Sequence, residues 1–547
     1  MTPRPAAWLV AAACAAALTA CGRPGEGAGA HSAGAGSAPG AMLVRGGGPD
    51  PDSLDPQKTR GFEAQGVVRD LCEGLTTLDS KAAVAPGLAS RWSVSGDGLV
   101  YTFTLRPDAR WSNGERVVGQ DFVAALRRLV DPATASAYAQ YADVIAHTDD
   151  IVAGRKPPEA LGVAAPDEST VVVTLSAPAP YLPILLSHPS TCPVHRPTLK
   201  AHPDTYARAG VMVSSGAFVL KEWVQGSYVL LERNPWYWNH AATRLAAVKY
   251  LIIPDENAEL TRYRGGELEV TAVVPRGQFD WIREHLGAQL HVSPQLTTYY
   301  YGFNLRRAPF KDQPKLRRAL SLVIDREKLA SLVLRVGELP AYGWVPPGID
   351  NYTPQSFDYS GVPMEKRISE AQRLYREAGY SRARPLVFEL RYNSGEVHTK
   401  LAVAVASMWK EALGAEVRLT QVEFKTLLAD IDRGDVEMFR SSWVGDYNDA
   451  YTFAQYLKSD FGVNLPHYAS PEYDSLLKRA AAEVDVKERR ALLEEAERVM
   501  LRDTPLMPLY FYVNKHLVKP EVLGWYDNVM NVTYSKDLAL SSIGQNR

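Results

Sequence analysis

The segment from Leu386 to Ser442 constrains the fold more than any other part of the chain. Leu386, Phe388, Leu390 and Tyr392 alternate with polar residues, the mark of a half-buried strand. Val397–Leu413 then reads as a helix. Leu401, Ala404, Val405, Met408 and Trp409 share one side, and Gly414 supplies the stop. Glu416–Thr420 is a second strand, Phe424–Asp432 a second helix ended by Gly434, and Val436–Ser442 a third strand. This βαβαβ order requires crossover connections, which are right-handed and give a parallel sheet. Ligands of open parallel sheets bind beyond the carboxyl ends of the strands. His398 opens the helix after the first strand and Asp446 follows the third, so both fall at that edge.

A second block, Tyr101–Pro132, repeats the lesson on a smaller scale. Tyr101, Phe103 and Leu105 alternate as a strand, and Ser112-Asn113-Gly114 is turn chemistry. The following helix carries Phe122, Leu126, Leu129 and Val130 on one side. Asp121 sits in its first turn, and Asp131-Pro132 stops it. The literal run Leu105-Arg-Pro-Asp-Ala-Arg-Trp-Ser-Asn-Gly114, with Val117 and Gln120-Asp-Phe122, resembles the signature of the peptide-binding solute receptors of ABC importers, solute-binding protein family 5. Asp131-Pro-Ala-Thr-Ala-Ser-Ala-Tyr138, Leu231-Glu-Arg-Asn-Pro-Trp-Tyr-Trp238, Tyr299-Tyr-Tyr301, Pro340-Ala-Tyr-Gly343 and Tyr510-Phe-Tyr-Val-Asn514 resemble its oligopeptide-binding subgroup, in the same order. Val118 replaces a threonine that usually caps the helix, so a looser helix start is expected.

The N-terminus reads on its own terms. Arg4 gives a positive start, and Ala6–Ala20 is apolar but shorter than the ~20 residues that span a bilayer. Leu18-Thr19-Ala20-Cys21 looks like a bacterial lipoprotein box, with residues 1–20 removed and Cys21 acylated; an ordinary secretory signal is the alternative. Residues 21–41, rich in Gly, Ala and Ser, bury too little apolar surface to order themselves and are expected to form a flexible tether. The 547-residue chain leaves room for about three domains at roughly 150 residues each. A net charge of −2 provides no basic footprint for nucleic acid. Cys72 and Cys192 would remain in the mature chain. An exported compartment permits a disulfide between them, and two buried thiols are the other arrangement the sequence allows.

Further along the chain, Met42–Glu73 suggests a strand, a polar loop over Gly61–Gln65 and a helix. Val171–Leu175 is a strand, and Ala217–Trp223 with Tyr228–Arg233 forms a hairpin around Gln225-Gly226. Lys249–Ile253, a helix over Glu256–Arg264 and Leu268–Val274 suggest a βαβ unit. The resemblance implies a two-lobed α/β fold of the periplasmic-binding-protein type, cluster C, with an extra inserted α/β domain. On that pattern residues 42–73, 197–298 and 516–547 form a discontinuous lobe I, 74–196 the inserted domain II and 299–515 lobe III.

A peptide is a zwitterion, so a receptor indifferent to side chains needs an anion for the amine and a cation for the carboxylate. By resemblance Asp446 is the amine anchor, Arg440 the carboxylate partner and His398 a residue near that end. Tyr138, Phe424 and Trp443 are candidate pocket walls. Main chain near Phe62 and over Ser442–Val444 would pair with an extended ligand. Arg60 stands where relatives carry an acid, and Val444 replaces a cysteine. No P-loop, H-E-x-x-H, C-x-x-C or G-x-S-x-G pattern occurs, and no histidine pair has zinc-ligand spacing. No enzyme activity, cofactor or metal is therefore expected. The expected protein is a monomeric, lipid-anchored receptor on the periplasmic or extracellular side of a bacterial membrane. It would take short oligopeptides by their termini and deliver them to ABC permease subunits. A narrower dipeptide or murein-peptide receptor, or a surface lipoprotein acting as adhesin or chaperone, are the alternatives.

Overall fold

The computed structural model describes residues 40–59 and 61–541. Cys21, Arg60 and the expected signal segment lie outside the described residues. No helix among the described residues is long and apolar enough to cross a membrane.

Three principal sheets organise the described chain. The first runs Met42–Gly46, Ala247–Leu251, Tyr228–Arg233, Phe218–Val224; its first pair is parallel and the rest antiparallel. The expected hairpin is present, with Gly226 at φ +70° in its turn, a conformation that favours glycine. The second sheet, Ala89–Val94, Val100–Leu105, Thr170–Thr174, Val163–Asp167, is antiparallel throughout. The helix Gly119–Val130 lays Phe122, Leu126 and Leu129 onto its Phe103, Val171 and Val173. At the start of that helix Val118 makes no side-chain cap, and Asp121 compensates. Its Oδ2 accepts from the Val118 N–H and from Trp111 Nε1, both at 3.1 Å.

The third sheet has six strands in the order Leu339–Pro340, Leu506–Leu517, Leu290–Phe303, Met438–Val444, Val387–Asn393, Glu416–Val422. Its last three strands are parallel, as the βαβαβ reading predicts. The helix Glu396–Leu413 buries Leu401, Val405 and Trp409 against Phe388 and Leu390, and Gly414 caps it at φ +74°. Two long antiparallel strands, Leu290–Phe303 and Leu506–Leu517, run unbroken through the positions where the sequence reading divides the chain.

Two local expectations are corrected. Gly61–Gln65 is not a polar loop: the helix Phe62–Leu71 starts there. Glu, Ala and Gln are good helix formers, and Val67, Val68 and Leu71 supply the buried face. Leu268–Val274 is not a full strand. Val270 alone bridges Arg45 and Val518, while the N–H groups of Ala272 and Val273 turn to the Glu259 carboxylate, at 2.7 and 3.3 Å. A buried side chain has captured the donors a sheet would have used.

Cys72 caps the end of the Phe62–Leu71 helix and Cys192 follows the turn Pro189–Thr191. The structure joins them in a disulfide with Cα atoms 6.1 Å apart, across a sequence separation of 120. The Gln57 amide holds the same junction, donating to the carbonyls of Ser190 and Cys192 at 3.0 and 3.1 Å.

Candidate ligand-binding site

The strand Met438–Val444 carries the centre of the site. Met438 and Phe439 are fully buried, whereas Val444 at the carboxyl end is 58% exposed. On one side the strand pairs antiparallel with Leu290–Phe303, in the register Tyr301↔Arg440, Tyr299↔Ser442, Thr297↔Val444. On the other it meets Val387–Asn393 only at Leu390↔Met438 and Arg391↔Phe439. From Arg440 to Val444 that edge has no strand partner among the described residues. Such an edge presents a row of backbone donors and acceptors, a template for an added strand.

Arg440 stands at the buried end of this stretch. Its guanidinium lies 4.5 Å from the centre of the Tyr299 ring and donates to Asn393 Oδ1 at 2.9 Å. Tyr512 Oη lies 3.4 Å from it, and its Nε is buried without a partner. Among the described residues no carboxylate pairs with Arg440. The Tyr299 hydroxyl in turn meets His398 Nδ1 at 3.2 Å. Gly395 makes this possible, because a Cβ there would come within 2.8 Å of the His398 ring. Burial, with the charges of Arg440 and Arg276 adding to it, pushes His398 down to about 4. It is therefore neutral at pH 7 and offers an imidazole N–H beside an uncompensated guanidinium.

Asp446 stands at the open end. Gly445 sets its place, since a Cβ there would lie 2.8 Å from Leu296 and Phe453 side-chain atoms. Backbone bonds fix the residue: its N–H donates to Thr452 Oγ1 at 3.1 Å, and its C=O accepts from Tyr141 Oη at 2.7 Å. The Tyr141 contact comes from the segment that carries the second sheet. Asp446 is solvent-exposed as a residue, yet surrounding protein desolvates its carboxyl enough to raise its pKa. No cation contacts that carboxyl among the described residues. Asp449, three residues on, is bound at both oxygens by Arg489, at 2.6 and 2.9 Å. Of two aspartates in one loop, one is consumed by the fold and the other faces outward unpaired. Asp143, pushed up to about 6 by burial and then by Asp149 and Asp446, shows that this end is electronegative.

The remaining candidates are spread over several places. Trp443 is a wall built into the core, its Nε1 donating to the Thr452 carbonyl at 2.8 Å and its ring 4.7 Å from Tyr456. Tyr138 packs on Tyr141 and His188, at the Asp446 end. Phe424 starts the helix Phe424–Arg433 and is 48% exposed; the strand before it is the sheet's outermost, two places from Met438–Val444. Phe62 opens its helix, and Ser442 and Val444 lie on the open edge. Sequence reasoning missed the residues that hold the anchors: Tyr299, Tyr512 and Asn393 around Arg440, Tyr141 and Thr452 around Asp446. Only Tyr299 and Tyr512 fell within segments singled out in the sequence, Tyr299–Tyr301 and Tyr510–Asn514, and neither was assigned a role there.

A family model, bacterial extracellular solute-binding proteins, family 5 middle, matches residues 83–465. The chain belongs to that family. Its members bind solutes and are not enzymes. The chain is 40% identical over 500 residues to the periplasmic oligopeptide-binding protein OppA of Escherichia coli (strain K12), covering 91% of this chain and 92% of that one. The structure resembles the unliganded open form of the murein tripeptide-binding protein MppA, with a TM-score of 0.89 at 36% identity, covering 93% and 99% of the two chains. Against Haemophilus influenzae OppA in complex with the peptide RPPGFSPFR the TM-score is 0.68 at 37% identity, covering 92% and 100%. These matches establish the cluster C fold with its inserted domain.

Proposed function

We propose that this family 5 member is an extracytoplasmic receptor that captures short peptides by both termini and the main chain, then delivers them to an ABC importer. The observation that carries the reading is the pair of uncompensated charges at the two ends of one strand edge. Among the described residues Arg440 lacks a carboxylate, Asp446 lacks a cation, and the edge between them has no strand partner. Six residues of extended chain reach at most ~20 Å, a span that suits a peptide of a few residues. The peptide's carboxylate would meet Arg440 and the neutral His398. Its ammonium would meet Asp446, and its backbone would add as a strand along Ser442–Val444. Charge-assisted bonds of ~1.5–3 kcal/mol at each end, with backbone pairing, suffice for micromolar affinity.

The proposed domain division belongs to the same reading. Residues 42–73, 197–298 and 516–547 form one lobe, 299–515 the other, and 74–196 the inserted domain. Leu290–Phe303 and Leu506–Leu517 are the two strands that pass between the lobes. The higher score against an open form than against a peptide complex, at nearly equal identity, favours an open arrangement of these lobes. Closure would then bury the Asp446 carboxyl around a ligand. Lipidation at Cys21 would tether the receptor to the outer face of a bacterial membrane, as the sequence before it suggests.

The test is mass spectrometry of ligands released from the natively purified protein, with calorimetry on tri-alanine and its N-acetylated and C-amidated forms. Peptides with both termini free are the expected ligands, and blocking either end should weaken binding. Co-purified ligands that are not peptides, together with no binding of tri-alanine, would overturn the proposal.

A further inference from the structure

A cleft of about 390 Å³ has a lining that includes Arg45, Arg69, Arg276 and Lys515, with Glu256 as its lining acid. Charged groups behind the lining do not cancel this excess. Arg45 rests 5.3 Å from the Tyr250 ring and is offset by the buried Asp70. Arg69 donates to Gln65 Oε1 at 3.3 Å and is otherwise surrounded by tyrosines. Arg276 and Lys515 share one buried carboxylate, and the exposed Glu256 adds a weaker attraction on Lys515. Glu338 Oε1 lies 2.9 Å from Arg276 Nη2 and 3.7 Å from Lys515 Nζ, and the Glu338 side chain is fully buried. Two cations on one buried anion leave a positive charge facing the cleft, within electrostatic reach of His398.

We propose that the Arg276–Lys515 pair is a specificity subsite for a second ligand carboxylate, so that this receptor selects peptides with an acidic side chain at or next to the C-terminus. The inference rests on the peptide-receptor reading, which already assigns the α-carboxylate to Arg440. Arg276 bears on the same histidine as Arg440, which sets the subsite beside the C-terminal end of the ligand. A carboxylate arriving there completes an alternating arrangement of two cations and two anions. A glutamine of the same shape adds no charge, and a lysine repels. The Arg276 side chain is 43% exposed, so an incoming group can reach it without displacing Glu338.

The experiment is calorimetry at pH 7 on tripeptides Ala-X-Ala and Ala-Ala-X, with X as Ala, Glu, Gln or Lys. Glu should bind at least tenfold tighter than Gln at one of the two positions, and Lys weakest there. In Arg276→Gln the Glu-to-Gln ratio, read within that variant, should fall towards one. The wild-type series carries the test even if the variant folds poorly. Equal binding of Glu and Gln at both positions, or a preference for Lys, would overturn the acidic subsite while leaving the receptor reading intact. Failure of every tripeptide to bind would overturn both.

Discussion

Removing Asp446 separates a receptor that holds a peptide's ammonium from a fold that merely contains this loop. In Asp446→Ala the backbone bonds to Thr452 and Tyr141 persist, because both use main-chain atoms of residue 446. The lost group is a carboxylate with no cationic partner among the described residues, so the free protein should lose little stability. In a closed complex the ligand's ammonium would be buried without a counter-charge, at a cost of about 3–5 kcal/mol. At ~1.4 kcal/mol per tenfold, binding should weaken by two to three and a half orders of magnitude. N-acetylation deletes the same interaction from the other side. Acetylated tri-alanine should lose a similar factor against the wild type, and the two losses should not add in the combined cycle. Asp449→Asn is the contrasting control. It breaks the Arg489 pair and should lower the melting temperature with less effect on the affinity of whatever remains folded. Titration calorimetry on the four combinations, with melting curves on each protein, decides the matter. Equal affinity of free and acetylated peptides for the wild type would refute the reasoning outright.

Acid should destabilise the protein through His398. Its pKa falls from 6.5 to about 4 on folding, so the unfolded chain binds more protons between those values and stability declines as pH drops through that window. His398→Gln should flatten the decline in melting temperature there, and an unchanged slope would refute the assignment. Peptide affinity should also fall with acid, beginning at a higher pH than for an ordinary aspartate because burial raises Asp446. A pH series of the same titrations reads this, and Asp446→Ala should lack it. Closing a loop of about 120 residues, Cys72–Cys192 could add ~4–5 kcal/mol in the chain-entropy model. A form beginning at residue 42 should show no free thiols when denatured without reductant; two titrated thiols would contradict the bond. Cys21→Ser should move the full-length protein from the membrane to the soluble fraction, and unchanged membrane association would count against lipid anchoring.

What was legible in the sequence follows from which forces act locally. The alternation from Phe388 to Tyr392, the one-sided helix ending at Gly414 and the stop at Gly434 are local patterns, and they fixed the parallel strands and the edge where Asp446 and His398 lie. The two errors have one cause. At 61–65 polar residues masked a good helix former run, and at 268–274 an apolar run lost its ladder to Glu259, which no local window relates to Ala272. The site divides in the same way. Asp446 is conspicuous because it follows a glycine in a loop, but Asp449 is equally conspicuous and differs only in having met Arg489 from a helix 40 residues away.

The environment of Arg440 shows why the remaining half of such a site stays hidden from sequence. A buried guanidinium needs partners, and its sequence neighbours provide none of them. Asn393 comes from one flanking strand, Tyr299 from the other and Tyr512 from the strand beyond. These groups hold the cation in place by neutral hydrogen bonding and by the face of a ring, and none of them cancels its charge. A carboxylate in any of those positions would have anchored Arg440 more firmly and left it nothing to offer a ligand. The assignment therefore rests on an imbalance: a cation fixed by neutral groups at one end of an unpaired strand edge, and an anion fixed through its backbone at the other. Replacing Asn393 with aspartate would test that logic directly, because it should leave the fold intact and weaken peptides through their carboxyl end alone.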